Sequence, residues 1–154
     1  AENLNKLNNE YTFYAYTSRI PMLLVGPAGI WIPIPILAGG EITYDNKWRQ
    51  KGGSFLLKFF GQENIGRPEM EVASNEKMVF NLLKDHLEEG KMPPINSILV
   101  SLHPKAIIGD VENAPTPIVN SSALRRYIRK VDRKADQEIP SETLDKINTL
   151  LAGE

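Results

Sequence analysis

The sequence predicts an α/β domain built around a mixed β-sheet. Strand-like runs fill the first third of the chain, a helical pattern occupies the middle, and further strands followed by two helical patterns complete it. The chain has 154 residues, of which 42% are hydrophobic and 24% are charged, a balance that supports a compact domain with a substantial core. We therefore expect one domain spanning residues 1–154.

The first third of the chain is typical of β-strands, because short aromatic or aliphatic runs alternate with turn residues. The predicted strands cover residues 11–16, 22–25, 30–36 and 41–44. The second and third are joined by Gly26-Pro27-Ala28-Gly29, a turn sequence, and are therefore expected to form a hairpin. This turn lacks the Lys-Ser/Thr pair of a phosphate-binding loop.

Helical spacing begins after Arg67-Pro68, where apolar residues from Val72 to Leu87 recur at intervals of three and four. Gly90 and Pro93-Pro94 are expected to end this helix. The later predicted elements are strands at 98–102, 106–108 and 117–119, a helix at 122–134 capped by Ser121-Ser122, and a helix from Ser141 to Leu151.

Pro33 and Pro35 predict an interruption in the sheet. Residues two apart on a strand direct their N–H groups to the same edge, so this pair removes two neighbouring donors from one side. We expect an open, bulged or edge-like strand there. Ile32, Ile34 and Ile36 would face away from Pro33 and Pro35, and such an apolar strand is interpreted either as sheet core or as an exposed groove for a partner.

Residues 20–40 carry no charge and are long enough to raise the question of a membrane span. Four prolines and four glycines within them argue against a spanning helix, so no membrane insertion is expected. No basic stretch precedes an apolar run near the N-terminus, as a signal peptide would require. The chain also has no cysteine, and we expect a cytoplasmic protein.

A longer pattern includes the hairpin: Ile20-Pro-Met-Leu-Leu-Val-Gly-Pro-Ala-Gly-Ile-Trp-Ile32, then Gly40-Glu-Ile42 and Trp48. It resembles the nuclease-related domain (NERD) family of the restriction-endonuclease-like superfamily. The order of later elements fits as well, so that the resemblance covers roughly residues 11–133. It implies a restriction-endonuclease-like mixed sheet flanked by helices, and it allows the chain to be a piece of a longer protein.

The same alignment places apolar residues at the family's catalytic positions. Pro21 stands at the Asp position, Ile34 at the Glu position and Ile36 at the Lys position. Nucleases of this family hold Mg²⁺ with the two carboxylates, and the metal and the lysine activate water and neutralise phosphate charge. These three residues supply neither oxygen ligands nor an ammonium group. We therefore expect no catalytic residues, no metal or other cofactor, and no nuclease activity by this mechanism.

Carboxylates elsewhere leave an alternative open. Glu41, Asp45 and Glu10 lie near the predicted strands and could belong to a relocated metal site, although exposed turn charges are the simpler interpretation. His86 and His103 each lack a second histidine or a suitably spaced carboxylate pair, which disfavours a zinc site.

The predicted helix at 122–134 carries the clearest binding pattern. Leu124, Tyr127, Ile128 and Val131 are spaced as the core-facing side of a helix. The candidate nucleic-acid-binding residues on its other side are Arg125, Arg126, Arg129, Lys130 and Arg133, with Lys134 beside them. Residues 120–134 carry a net charge of +5 from six basic side chains and one acid, and residues 135–154 carry −4 from one basic and five acidic side chains. An ordinary solvated face, partly neutralised by Asp132 and this acidic tail, is the competing interpretation.

These observations lead to one main hypothesis and two alternatives. The main hypothesis is a noncatalytic nuclease-related domain that binds nucleic acid through the basic helix, or a protein partner or second copy through the apolar hairpin. The first alternative is a metal-dependent nuclease with a relocated active site. The second is a structural or assembly domain.

Overall fold

The computed structural model describes residues 11–14, 21–52 and 65–153. The strands in these ranges are β1 (Thr12–Tyr14), β2 (Leu23–Gly26), β3 (Gly29–Ile36), β4 (Glu41–Tyr44), β5 (Trp48–Lys51), β6 (Ile95–Ser101), β7 (Ile107–Ile108) and β8 (Ile118–Asn120). The helices are α1 (Pro68–Leu83), α2 (Leu124–Arg133) and α3 (Ser141–Ala152), and a short 3₁₀ helix at Ser121–Ala123 precedes α2.

The strands form two mixed sheets, which confirms the predicted α/β class. The larger sheet has the order β1-β2-β3-β6-β8, in which β1, β2 and β3 form an antiparallel meander while β6 and β8 run parallel to β3. The smaller sheet has the order β5-β4-β7. The expectation of one mixed sheet is therefore wrong for residues 41–44 and 106–108, because β4 pairs with β5 and β7 and not with the larger sheet.

The predicted hairpin is confirmed. Gly26 pairs with Gly29 and Val25 with Ile30, with Pro27-Ala28 at the turn. A Cβ atom on Gly29 would lie 2.7 Å from the carbonyl oxygen of Pro94, so the chain requires glycine where the turn enters β3.

The proline pair in β3 has the predicted effect on one side of the strand only. Ile30 donates its N–H to the carbonyl of Pro94, and the Ile36 carbonyl accepts from the N–H of Leu102. The backbone N–H and C=O groups of the even-numbered residues of β3 therefore point toward β6. Pairing with β6 is continuous from Ile30 to Ile36. The backbone nitrogens of Pro33 and Pro35, which carry no hydrogen, point to the opposite edge of β3, where pairing with β2 ends at Trp31. Among the described residues, β3 therefore has no strand partner on that side beyond Trp31, although it lies in the centre of the sheet.

The two faces of β3 belong to different clusters. Ile30, Ile32, Ile34 and Ile36 pack in a core that is completed by α1 and α3 through Val79, Leu83, Ile147 and Leu151. Trp31 lies on the opposite face with Leu24, Ile98 and Ile128 of α2. Because successive side chains of a strand alternate, α1 and α3 cover one face of the larger sheet and α2 covers the other. The interpretation of the isoleucine face as sheet core is confirmed.

Two helix boundaries differ from the prediction. The first helix ends at Leu83, its last buried residue, and the chain then turns with the His86 N–H bonded to the Leu83 carbonyl instead of continuing to Gly90. The predicted cap of the second helix is also wrong. The side chain of Asn120 accepts from the Ala123 N–H at 3.1 Å, and the Ser122 hydroxyl donates to the same Asn120 oxygen at 2.6 Å. The 3₁₀ helix therefore forms first, and α2 begins at Leu124.

The uncharged segment at residues 20–40 forms β2, the hairpin turn and β3 within the ranges described. Among the helices in those ranges, none is both long and apolar enough to cross a bilayer. Glu10, residues 15 and 16 of the first predicted strand, and Ile20 at the start of the family-like pattern lie outside the described residues.

Tyr14 connects β1 to α3 by a hydrogen bond, and its pKa predicts how the stability of the protein changes at alkaline pH. Its hydroxyl donates to Oδ1 of Asn148 at 2.7 Å, and burial raises the pKa of the phenol because the phenolate would lose hydration. A raised pKa of this kind contributes stability below the ordinary value of 10.0, and the contribution is lost as the pH rises further. Between about pH 9 and about pH 11 we expect the free energy of unfolding of the wild type to fall more than that of Tyr14→Phe, as measured by urea denaturation. Parallel pH dependences would contradict this expectation.

Candidate nucleic-acid interface

The three positions aligned with the nuclease residues are buried. Pro21 precedes β2, and Ile34 and Ile36 lie on β3 with exposed fractions of only 2% and 3%. Ile34 and Ile36 face the core formed with α1 and α3. Saturated side chains in this setting can neither coordinate a metal nor transfer a proton.

The carboxylates considered for a relocated metal site are dispersed. Glu41 is exposed at the start of β4, and Asp45 is exposed in the turn before β5. Throughout residues 11–14, 21–52 and 65–153, no group of three His, Asp or Glu side chains is placed to hold a metal ion. His103 makes a local contact, since its Nδ1 accepts from the Lys105 N–H at 3.1 Å.

The inward face of α2 is anchored by the predicted apolar residues. Ile128 is buried against Leu24 and Ile98, with Leu124 and Tyr127 packed at the edge of the same cluster. Tyr127 meets Trp31 edge to face, with ring centroids 6.3 Å apart and an interplanar angle of 85°. The orientation of α2 on the sheet is therefore fixed by side chains, and its opposite side faces outward.

Asp132, the one acidic residue of α2, points inward. Its Oδ1 accepts from the Trp31 indole N–H at 3.1 Å, and its Oδ2 accepts from the hydroxyl of Tyr11. From the sequence, Asp132 was expected to neutralise part of the basic face, and its inward hydrogen bonds were not predicted. The signal was present, because Leu124, Ile128 and Asp132 follow one another at intervals of four and so share the inward face.

Of the predicted basic residues, Arg126, Lys130 and Arg133 lie on the outward side of α2, whereas Arg125 and Arg129 border a small pocket with Tyr11 and Leu24. Arg125, Arg126, Lys130 and Arg133 are exposed, and Arg129 is half-buried. Arg126, Lys130 and Arg133 are spaced at four and three residues, close to one helical turn of about 5.4 Å each. Within the part of the chain that the structure describes, no ion pair is found for these three side chains. Lys130 and Arg133 also lie in the last turn, where cations stabilise a helix.

The acidic tail neutralises this surface less than its position in the sequence suggested. Thr143, Ile147 and Leu151 of α3 are buried, and the latter two pack in the core on the opposite face of the larger sheet. The acids of α3 therefore lie across the sheet from α2. Asp136 and Glu138, which follow α2 directly, are exposed near its C-terminal end. The outward side of α2 is thus a local concentration of positive charge.

No protein-family model, curated protein or solved structure matches this chain. The resemblance to the nuclease-related family therefore rests on the pattern at residues 20–48 and on the order of the strands and helices.

Replacing Asp132 with alanine tests its inward role. We expect Asp132→Ala to lower the free energy of unfolding by about 2–4 kcal/mol, because two hydrogen bonds to a charged acceptor are lost and the Trp31 donor is left without its acceptor. The exposed Asp136→Ala is the matched control and should change stability by less than about 0.5 kcal/mol. Urea denaturation measures both variants. Equal values for the two would contradict the assignment.

Proposed function

We propose that this chain is a noncatalytic nuclease-related domain that binds nucleic acid through the outward side of α2. One observation carries the proposal: the helix presents Arg126, Lys130 and Arg133 outward, while its one acid, Asp132, is bonded inward to Trp31 and Tyr11. The positive charge of the helix is therefore available to phosphates.

The expected interaction is mainly electrostatic. Four exposed cations of α2 and its C-cap, Arg126, Lys130, Arg133 and Lys134, can each replace a condensed counterion, so the logarithm of the affinity should fall with the logarithm of salt at a slope of about −3 on single strands. Fluorescence anisotropy of labelled oligonucleotides over a salt series measures this slope. Undetectable binding at about 20 mM salt would refute the proposal.

The noncatalytic part of the proposal is supported by the apolar surroundings of the aligned positions. Ile34 and Ile36 lie in the core and Pro21 is buried, which leaves no opening for a metal at these positions. The proposal is also supported by the larger sheet, which is mixed, as the resemblance implies: β6 runs parallel to β3, whereas β1, β2 and β3 are antiparallel. The lack of cysteine favours the cytoplasm as the location.

A protein-binding function is the second candidate, in which a second copy of the chain docks at the end of β3. Most side chains of the hairpin are buried, but Leu37 and Leu102 beyond the ends of β3 and β6 are 59% and 47% exposed. They are adjacent, since the Leu102 N–H donates to the Ile36 carbonyl, and Pro35 beside them is also exposed. If this is the function, light scattering should show a dimer, and Leu37→Glu should convert the dimer to a monomer. A strict monomer at high concentration would remove it.

A further inference from the structure

Within the described ranges, two clefts are large enough for a small ligand. One, of about 460 Å³, lies near the hairpin turn, and the other, of about 310 Å³, opens at the edge of β6 and combines polar with aromatic side chains. The smaller cleft is bounded by α1 on one side, by α2 on the other and by the segment leading into β8. The residues that carry its chemistry are Trp31, Glu76, Asn96, Ser97, Tyr127 and Val131. Its volume is at the lower end of the range for small-ligand pockets.

The backbone of β6 faces this cleft. β8 pairs with β6 only from Leu99 onward, and the Leu99 N–H donates to the carbonyl of Pro117. Residues two and four positions earlier in a strand direct their backbone groups to the same edge, so Ser97 and Ile95 face the cleft where β8 has not yet begun. This edge of β6 therefore offers backbone N–H donors and C=O acceptors, from Ile95 and Ser97, close to each other.

Two polar side chains extend this set. Oε1 of Glu76 accepts from the Ser97 hydroxyl at 2.8 Å, which positions the carboxylate of α1 at the cleft. A carboxylate has about four acceptor sites, so this bond leaves capacity for a ligand donor. Asn96 pairs with Trp31 in the sheet and supplies an amide that both donates and accepts.

The α2 side of the cleft is apolar and aromatic. Tyr127 is half-buried, packs against Trp31 and borders the opening together with Val131, which is 37% exposed. Such a wall accepts the face of a flat ring. A planar ligand could therefore lie on Tyr127 while its polar edge meets Glu76 and Asn96.

Two lysines of α2 and its C-cap, Lys130 and Lys134, lie next to the aromatic side of the cleft. Lys130 and Lys134 follow Tyr127 and Val131 by three residues each, and residues three apart are neighbours on a helix surface. Both lysines are exposed. The cleft thus combines an aromatic wall, an acceptor-rich interior and an adjacent positive rim, which together match a nucleotide with its base inside and its phosphate outside.

We propose that the cleft admits one unpaired base of a single-stranded nucleic acid, and that it prefers cytosine or adenine to thymine, because the first two present an amine donor beside a ring-nitrogen acceptor. The N4 amine of cytosine would donate to Glu76, and the Asn96 amide would donate to cytosine N3 or O2. A paired base cannot present this edge, so the bound form is single-stranded. This inference rests on the proposed function, because the strand is held by the cations of α2.

The two tryptophans allow the cleft to be observed directly. The chain contains two, and the Trp31 indole N–H is bonded to Asp132 whereas that of Trp48 is bonded to Glu69. In ¹H–¹⁵N spectra assigned with Trp48→Phe, titration with an oligodeoxycytidine of about 12 nucleotides, a length that a small domain can cover, should shift the Trp31 indole peak. Trp48 is connected to the cleft indirectly, through Glu69, which also accepts from Thr116 of the cleft wall, so its peak should shift less than that of Trp31.

Base preference supplies the second test. Anisotropy should give oligodeoxycytidine an affinity roughly 5- to 20-fold above that of oligothymidine, in line with one or two specific hydrogen bonds to a base edge. Glu76→Gln, which retains an acceptor for Ser97, should reduce this preference to less than about 2-fold without weakening oligothymidine binding. Asn96→Ala is a second variant with the same expected loss, and the exposed Glu71→Gln on α1 is the matched control.

The outcomes separate the two proposals. Equal binding of both oligonucleotides, or an unmoved Trp31 peak at saturation, overturns the cleft while binding through α2 stands. Loss of preference in Glu71→Gln as well would also overturn it, because the effect would then be one of net charge. Failure of every oligonucleotide to bind at about 20 mM salt overturns the proposed function and the cleft together.

Discussion

Replacing Ile34 with glutamate is expected to destabilise the protein by more than about 3 kcal/mol, because it buries a carboxylate in an apolar core. Ile34 is 2% exposed, pairs with Leu99 in the centre of the larger sheet and faces α1. The change introduces the acid that the nuclease-related pattern has at the aligned position. In an open active site that acid would be solvated or bound to metal, whereas in this core it has neither water nor a cation. Urea denaturation followed by circular dichroism measures the loss.

Leu37→Glu provides the matched control. It introduces the same charge just after β3, at a residue that is 59% exposed, and should change stability by less than about 1 kcal/mol. Adding Mg²⁺ should not recover the stability of the Ile34→Glu, Ile36→Lys double variant. If Ile34→Glu unfolds with the wild-type midpoint, or if Mg²⁺ restores the double variant, β3 has an accessible site at these positions and our account of it is wrong.

Neutralising the outward cations of α2 has the second large effect. We expect the triple variant Arg126→Gln, Lys130→Gln, Arg133→Gln to lose affinity for single-stranded DNA on the order of 10²-fold at about 50 mM salt. Three fewer counterions would be released, so the salt slope should become shallower by about 2. These side chains are exposed and contribute little to the core, so the variant should retain its fold. Fluorescence anisotropy gives both the affinity and the slope.

A second triple variant separates local binding from the effect of net charge. Lys77, Lys84 and Lys146 are exposed on or next to α1 and α3, the helices on the opposite face of the larger sheet. Their replacement by glutamine changes the net charge equally and should lower affinity less than about 3-fold. Similar losses in the two triple variants would show that α2 is not the binding surface.

Much of the fold follows from local signals in the sequence. The Gly-Pro-Ala-Gly turn lies between two apolar runs, and this local signal predicts the hairpin of β2 and β3. The alternating isoleucines of β3 predict a buried face, and the prolines predict where pairing on one side must stop. The apolar face of α2 likewise follows from its own spacing.

Long-range pairing could not be predicted in this way. Ile107 and Ile108 form a two-residue strand whose partner, β4, precedes it by more than sixty residues, and its assignment to the smaller sheet depends on the Ile107 N–H reaching the Gly40 carbonyl. Hydrophobic periodicity carries no information about such partners. The cleft at β6 was missed for the same reason, since it exists only where β8 begins later than β6.

The direction of the Asp132 side chain could be predicted only in part. A sum of charges along the helix treats its carboxylate as a neighbour of the arginines, although its direction is set by the four-residue interval from Ile128. Its partners lie 101 and 121 residues away in sequence, at Trp31 and Tyr11. The helical position was readable from the sequence, whereas the identity of the donors required the fold.

One gel measurement tests binding without cleavage most directly. Supercoiled plasmid and circular single-stranded DNA are incubated with the protein at low salt in Mg²⁺ or Mn²⁺, and each sample is run before and after removal of the protein. We predict retarded DNA before removal and intact circles afterwards, with the retardation reduced in the triple variant of α2. Metal-dependent nicking or linearisation by the wild type, abolished by replacing Glu41 or Asp45, would contradict the account, as would unretarded DNA.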